Sequence, residues 1–137
     1  MAGTITQTLI KNFPLDSNIQ VLKFDCTADA SDGSFPATVT ENSITVAIKG
    51  WWIIEVRTNP GTPAPQENYD IALNDVEGID LMGGSLANRH QSNSEAAPPS
   101  IMPGVYWPRP INGALTVVIT NNNVNSAKLT IQVFLGR

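Results

Sequence analysis

The sequence predicts an all-β fold: one domain built as an antiparallel β-sandwich or barrel, with a single long proline-rich loop. Three observations lead there. Apolar and polar residues alternate with period two along most of the chain, which is the pattern of a strand with one buried face. β-branched and aromatic residues fill those runs, as a pleated, half-buried surface prefers. Turn-forming pairs interrupt them at short intervals, at Asp32-Gly33, Asn59-Pro60-Gly61, Glu77-Gly78, Gly83-Gly84 and Pro103-Gly104.

In chain order, the first strand candidates are Thr4–Ile10, Ile19–Thr27 and residues 34–40. Ile44, Val46 and Ile48 then alternate with Thr45, Ala47 and Lys49, which predicts another strand. Residues 51–57 predict a further one. Trp51 and Trp52 are adjacent, so they point to opposite faces and at most one of them is core. Residues 59–68 hold Pro60, Pro63 and Pro65 and predict an exposed loop. Tyr69, Ile71 and Leu73 alternate with Asp70, Ala72 and Asn74. Residues 83–110 carry Pro98, Pro99, Pro103, Pro108 and Pro110 and predict the long loop, with one helical turn near residues 85–90 and a short strand at 105–107. A connection of that length in a small domain is usually functional or mobile. The chain closes on Leu115, Val117 and Ile119, then Leu129, Ile131, Val133 and Leu135. The asparagine-rich residues 121–126 between them predict a hairpin whose apolar residues share one core face.

Composition narrows the functional classes. At 137 residues, with 42% apolar side chains, the chain can bury roughly two-thirds of its unfolded surface and needs no disulfide or metal for a core. Charged residues make up only 15%, so the polar surface is mostly Thr, Ser, Asn and Gln. Such a surface packs against neighbours with few charges to desolvate. The net charge of −4 and the scattered Lys and Arg argue against nucleic acid as a partner. No run approaches the ~20 apolar residues of a membrane helix, and the opening residues lack the charged and apolar regions of a signal peptide. The expectation is a protein made in the cytoplasm and soluble there. Cys26 stands alone in an apolar strand and reads as a buried, inert thiol.

Candidate chemistry is sparse. Asp75, Glu77 and Asp80 bracket Gly78 but do not match the ligand spacing of a calcium loop, so an acidic tight turn is expected and no metal. His90, with Ser92, Ser94 and Glu95 nearby, lies in one polar stretch without a nucleophile elbow, so an exposed loop histidine is expected rather than a catalytic triad. No catalytic residue and no cofactor site is predicted. The aromatic residues remain. Trp51, Trp52, Tyr106 and Trp107 suit burial, a subunit contact or a lectin-like platform, since large aromatics anchor interfaces.

The run Tyr69-Asp70-Ile71-Ala72-Leu73-Asn74-Asp75, then Gly78, Asp80-Leu81, Gly83-Gly84 and Ala87-Asn88-Arg89, resembles a pattern in small β-sandwich virion proteins of tailed bacteriophages. The stretch from Gly113 to Leu135 is similar to the end of the same proteins. The resemblance covers about half the chain and carries no catalytic residues. It implies a jelly-roll-like β-sandwich that acts as a capsid cement or decoration protein on the virion surface, forming homo-oligomers, typically trimers, and binding the major capsid protein. A tail or connector component and a carbohydrate-binding module are the alternatives. The interface is expected in the proline-rich segment, at Ile101, Met102, Tyr106 and Trp107, with Arg89 beside it.

Overall fold

The computed structural model describes residues 3–11 and 18–137. In chain order the elements are β1 (Thr4–Ile10), β2 (Ile19–Thr27), β3 (Thr38–Val39), α1 (Asn42–Ile48), β4 (Trp52–Pro60), β5 (Asp70–Asn74), β6 (Glu95–Ala97), β7 (Ser100–Met102), β8 (Val105–Tyr106), β9 (Arg109–Pro110), β10 (Thr116–Thr120) and β11 (Lys128–Gly136). One sheet runs β1-β2-β11-β4-β6, with β9 also paired to β4. A second runs β3-β10-β5, and β7 and β8 pair only with each other. All these pairings are antiparallel.

The alternation read from the sequence decides which faces meet. Leu22, Phe24 and Cys26 of β2 and Leu129, Ile131, Val133 and Leu135 of β11 point inward from the larger sheet. Ile71 and Leu73 of β5, with Leu115, Val117 and Ile119, point inward from the smaller one. Together they form one core cluster. Each such side chain contributes ~1.5–3 kcal/mol on leaving water, so the facing pair of sheets carries most of the fold's stability. The architecture is therefore all-β, as the alternation predicts, and of the two arrangements left open it is the sandwich.

Several local expectations change. Residues 44–48 are not a strand but the end of α1. Ile44 and Ile48 are buried four residues apart, as on one helix face, and Val46 between them is 78% exposed. Period two and the helical i, i+4 spacing coincide at positions 44 and 48, so the sequence pattern was ambiguous there. The short helix is held by its surroundings. The Gln20 amide donates to the Ala47 carbonyl from the larger sheet, and Thr45 shares a hydroxyl hydrogen bond of 2.7 Å with Thr40 beside the smaller one. Gly50, at φ +87°, turns the chain out of it.

The closing residues are not a hairpin. β10 pairs with β5 and β3, and β11 pairs with β2 and β4. The two strands belong to opposite sheets, and their apolar faces meet across the core. Residues 121–126 form an arch between the sheets rather than a hairpin turn. Asn122 knits three loops there: its amide donates to the Gly33 carbonyl (2.6 Å) and its Oδ1 accepts from Gln66 N–H (2.8 Å). Asn121 occupies the left-handed conformation at φ 64°, as expected of asparagine in a turn.

Residues 34–40 contribute only the two-residue β3, and residues 83–110 carry four short strands, β6 to β9. Residues 59–61 belong to β4 and its exit, and the rest of the 59–68 segment is a loop tied to the arch through Gln66 and Asn122.

Candidate docking surface

The proline-rich segment leaves the core at residues 80–88, where Leu81, Met82 and Leu86 are buried. Asp80 holds this turn: its carboxylate accepts from the backbone N–H of Leu73 (3.1 Å), Met82 (3.0 Å) and Gly84 (3.0 Å). Asp75 accepts likewise from Glu77 and Ile79. These carboxylates are backbone caps, and their oxygens are engaged in shaping the turn.

β6 and β9 then run along the outer edge of β4, and between them the chain projects as the β7–β8 hairpin. Ser100 N–H donates to the Met82 carbonyl (3.0 Å) and Trp107 N–H to the Pro99 carbonyl (3.1 Å), which fixes the base of the hairpin. Gly83, at φ +60°, lies so close to Ser100 that a Cβ would meet the Ser100 carbonyl oxygen at 1.9 Å. Only glycine fits there. At the tip, Pro103-Gly104, with Gly104 at φ +78°, has the residue types and positive φ of a type II turn.

The seven residues from 101 to 107 are all exposed. Trp107 is 64% exposed, Met102 59%, Tyr106 54% and Ile101 47%. Large apolar side chains on both sides of a projecting hairpin are costly to leave in water, and contiguous patches of this kind mark interaction sites. Four of the five sequence-predicted interface residues therefore meet on one element. Arg89 is set apart. Its guanidinium donates to the Ala87 carbonyl (3.3 and 3.2 Å) and faces Glu95 at 3.8 Å, with its side chain only 14% exposed.

The hairpin also adjoins an apolar groove of about 390 Å³. Trp107 and Pro108 form one wall, and Trp52 and Ile54 of β4 form another. Gly136 also lines it, packed so close to Ile54 that a Cβ there would lie 2.5 Å from that side chain. Asn18 and Arg137 supply polar groups at the rim. The two adjacent tryptophans divide as the strand geometry requires: Trp52 is 40% exposed in the groove, while Trp51 packs against the core and lies under the Arg137 guanidinium at 4.7 Å. No family model, curated protein or solved structure matches this chain. The surface is read from its own chemistry.

Trp52, Ile54 and Gly136 escaped the sequence reading as members of one site with Trp107. The only signal was the Trp51-Trp52 pair, which required one ring to face away from the core. Elsewhere, His90 Nδ1 accepts from the backbone N–H of Ser92 and Asn93, each at 3.0 Å, and so serves as a loop cap. Cys26 is buried, and that burial, with the Asp25 charge adding, pushes its thiol up to about 12. It is a core side chain.

Proposed function

We propose that this chain is a non-enzymatic structural subunit that docks other protein subunits through its aromatic hairpin and the adjoining groove. The observation that carries this reading is the run of exposed apolar residues from Ile101 to Trp107 on a hairpin with an ordered base. Trp and Tyr are the residues most often found at the energetic centre of interfaces, and a fixed arm loses little entropy on docking. Together with the resemblance across residues 69–135, this favours a virion protein of the capsid cement type, with the major capsid protein as the docked partner. A tail component would use the same surface.

Two exposed tryptophans on one groove also suit a sugar-binding platform. The groove favours protein over sugar because its walls are largely apolar and its side-chain hydrogen-bonding groups are few, namely Asn18, Arg137 and the indole N–H groups of Trp52 and Trp107.

Trp107→Ala tests the docking reading. Binding to source particles, measured by co-sedimentation, should weaken by ~2 kcal/mol or more, about thirtyfold, with the fold intact. Normal binding by that variant would sink the proposal. Quenching of tryptophan fluorescence by soluble glycans, with no binding to particles, would favour the carbohydrate reading instead.

A further inference from the structure

The opposite edge of the larger sheet holds a second feature. β1 pairs with β2 along all seven of its residues, and no other described strand pairs with its backbone. The strand pairs with no break in register, and its sequence Thr-Ile-Thr-Gln-Thr-Leu-Ile contains no charge and no proline. Natural sheets normally blunt such an edge with short strands, charges, prolines, bulges or a covering segment.

The other edges of this molecule follow that rule. β6 and β9 are three and two residues long, with Glu95 in one and Pro110 in the other. β3 has two residues. β5 is covered by residues 79–89, through Leu81 N–H to the Leu73 carbonyl, Ile71 N–H to the Leu86 carbonyl and the Tyr69–Arg89 bridge. Among the described strands, β1 alone combines length, freedom from charge and proline, and an unpaired edge.

We infer that β1 is a strand-pairing site for a second copy of this chain, joined antiparallel about a twofold axis. The choice of a second copy rests on charge and on self-complementarity. The chain carries a net charge of −4, so like molecules repel, and β1 is an edge along which two copies meet without opposing charges. Antiparallel pairing centred on Gln7 sets Thr6 opposite Thr8, Ile5 opposite Leu9 and Thr4 opposite Ile10. Exposed threonines then face each other on the outer side and half-buried apolar residues on the inner, as cross-strand pairing prefers. The Gln7 side chain already braces the strand, donating to the Val39 carbonyl and accepting from Glu41 N–H, both at 2.9 Å.

Pairing at β1 yields a closed twofold dimer rather than the trimer implied by the family resemblance. It makes one continuous sheet with the aromatic hairpins at its two far ends. From β4 to the second copy's β4 is seven interstrand steps, roughly 34 Å before twist. If the docking reading above holds, the dimer is a bivalent clamp whose second contact forms at high effective concentration. The self-pairing itself stands independently of that reading.

The test is sedimentation velocity across the micromolar range. The unmodified chain should show a reversible dimer. The double variant T6K/T8K puts lysines opposite each other in the proposed register and should weaken the dimer at least about tenfold, with an unchanged circular dichroism spectrum. T6E/T8E should do the same, and an equimolar mixture of the two variants should restore dimer. A monomeric unmodified chain, or a T6K/T8K dimer of undiminished affinity, would overturn the proposal. So would a dimer that Trp107→Ala dissolves and T6K/T8K leaves intact, which would place the second copy on the hairpin. Should the lysine variants misfold, hydrogen exchange on the unmodified chain decides. β1 amides must gain protection as concentration rises, and concentration-independent exchange there would reject pairing. Loss of particle binding in Trp107→Ala with dimerisation intact separates the two proposals.

Discussion

At the scale of single residues, burial sets both packing and ionisation. Cys26 and Tyr69 are enclosed by the core, and the cost of placing a charge there holds both groups neutral. The Tyr69 phenol is pushed up from 10.0 to about 12, chiefly by burial, and the Cys26 thiol from 9.0 to about 12. As pH rises past 9 the unfolded chain releases these protons while the folded chain keeps them. The unfolded state is therefore favoured, and stability should fall progressively between about pH 9 and 12, with no contribution from either group below that window. Urea midpoints taken along that range test the sign, and a flat profile would show that neither group is enclosed. The same burial predicts that a thiol reagent labels Cys26 only on unfolding. Ile131 is fully buried at the centre of β11, so Ile131→Ala should cost ~2–5 kcal/mol in denaturant unfolding. A loss below ~1 kcal/mol, the range of surface sites, would place it outside the core.

At the scale of elements, the hairpin arm depends on a single glycine at its base. Gly83 combines φ +60° with backbone contact to Ser100, so Gly83→Ala both strains the chain and displaces β7. The expected cost is ~1–3 kcal/mol in stability, and particle binding should weaken because the base of the arm shifts. Wild-type stability and binding in that variant would show that the close approach is relaxed in solution. Much at this scale was legible in the sequence. The bounds of β1 and β2 and the inward residues of β5, β10 and β11 follow from alternation alone. α1 was not legible, because Ile44 and Ile48 satisfy strand and helix periodicity equally and only the exposure of Val46 tells them apart. The grouping of Ile101, Met102, Tyr106 and Trp107 in one segment was legible from the sequence, but their exposure was not, because the same aromatics could equally have been buried under the loop. Their meeting with Trp52 and Ile54 was not legible either.

At the scale of the whole molecule, the sandwich separates a rigid centre from working edges. β2 and β11 have strands on both sides, whereas the β7–β8 hairpin pairs only with itself. Hydrogen exchange should therefore be slowest in β2 and β11 and fastest in residues 101–107, the order expected when protection follows buried hydrogen bonds. Slow exchange in the hairpin of a dilute sample would mean that the body covers it. What the sequence by itself determined is the inward face of β5, β10 and β11: period-two alternation is a local property, and each inward residue there is named by its neighbours two positions away. Tertiary structure alone decided which strands pair and where the groove lies. β10 and β11 carry equally good patterns for pairing with each other, yet each finds better-placed partners in opposite sheets. Their shared apolar face is buried more completely by stacking the sheets than by lying side by side in one. The groove arises the same way, because Trp52 and Trp107 are brought together by β9 pairing with β4, a long-range contact that no local pattern encodes.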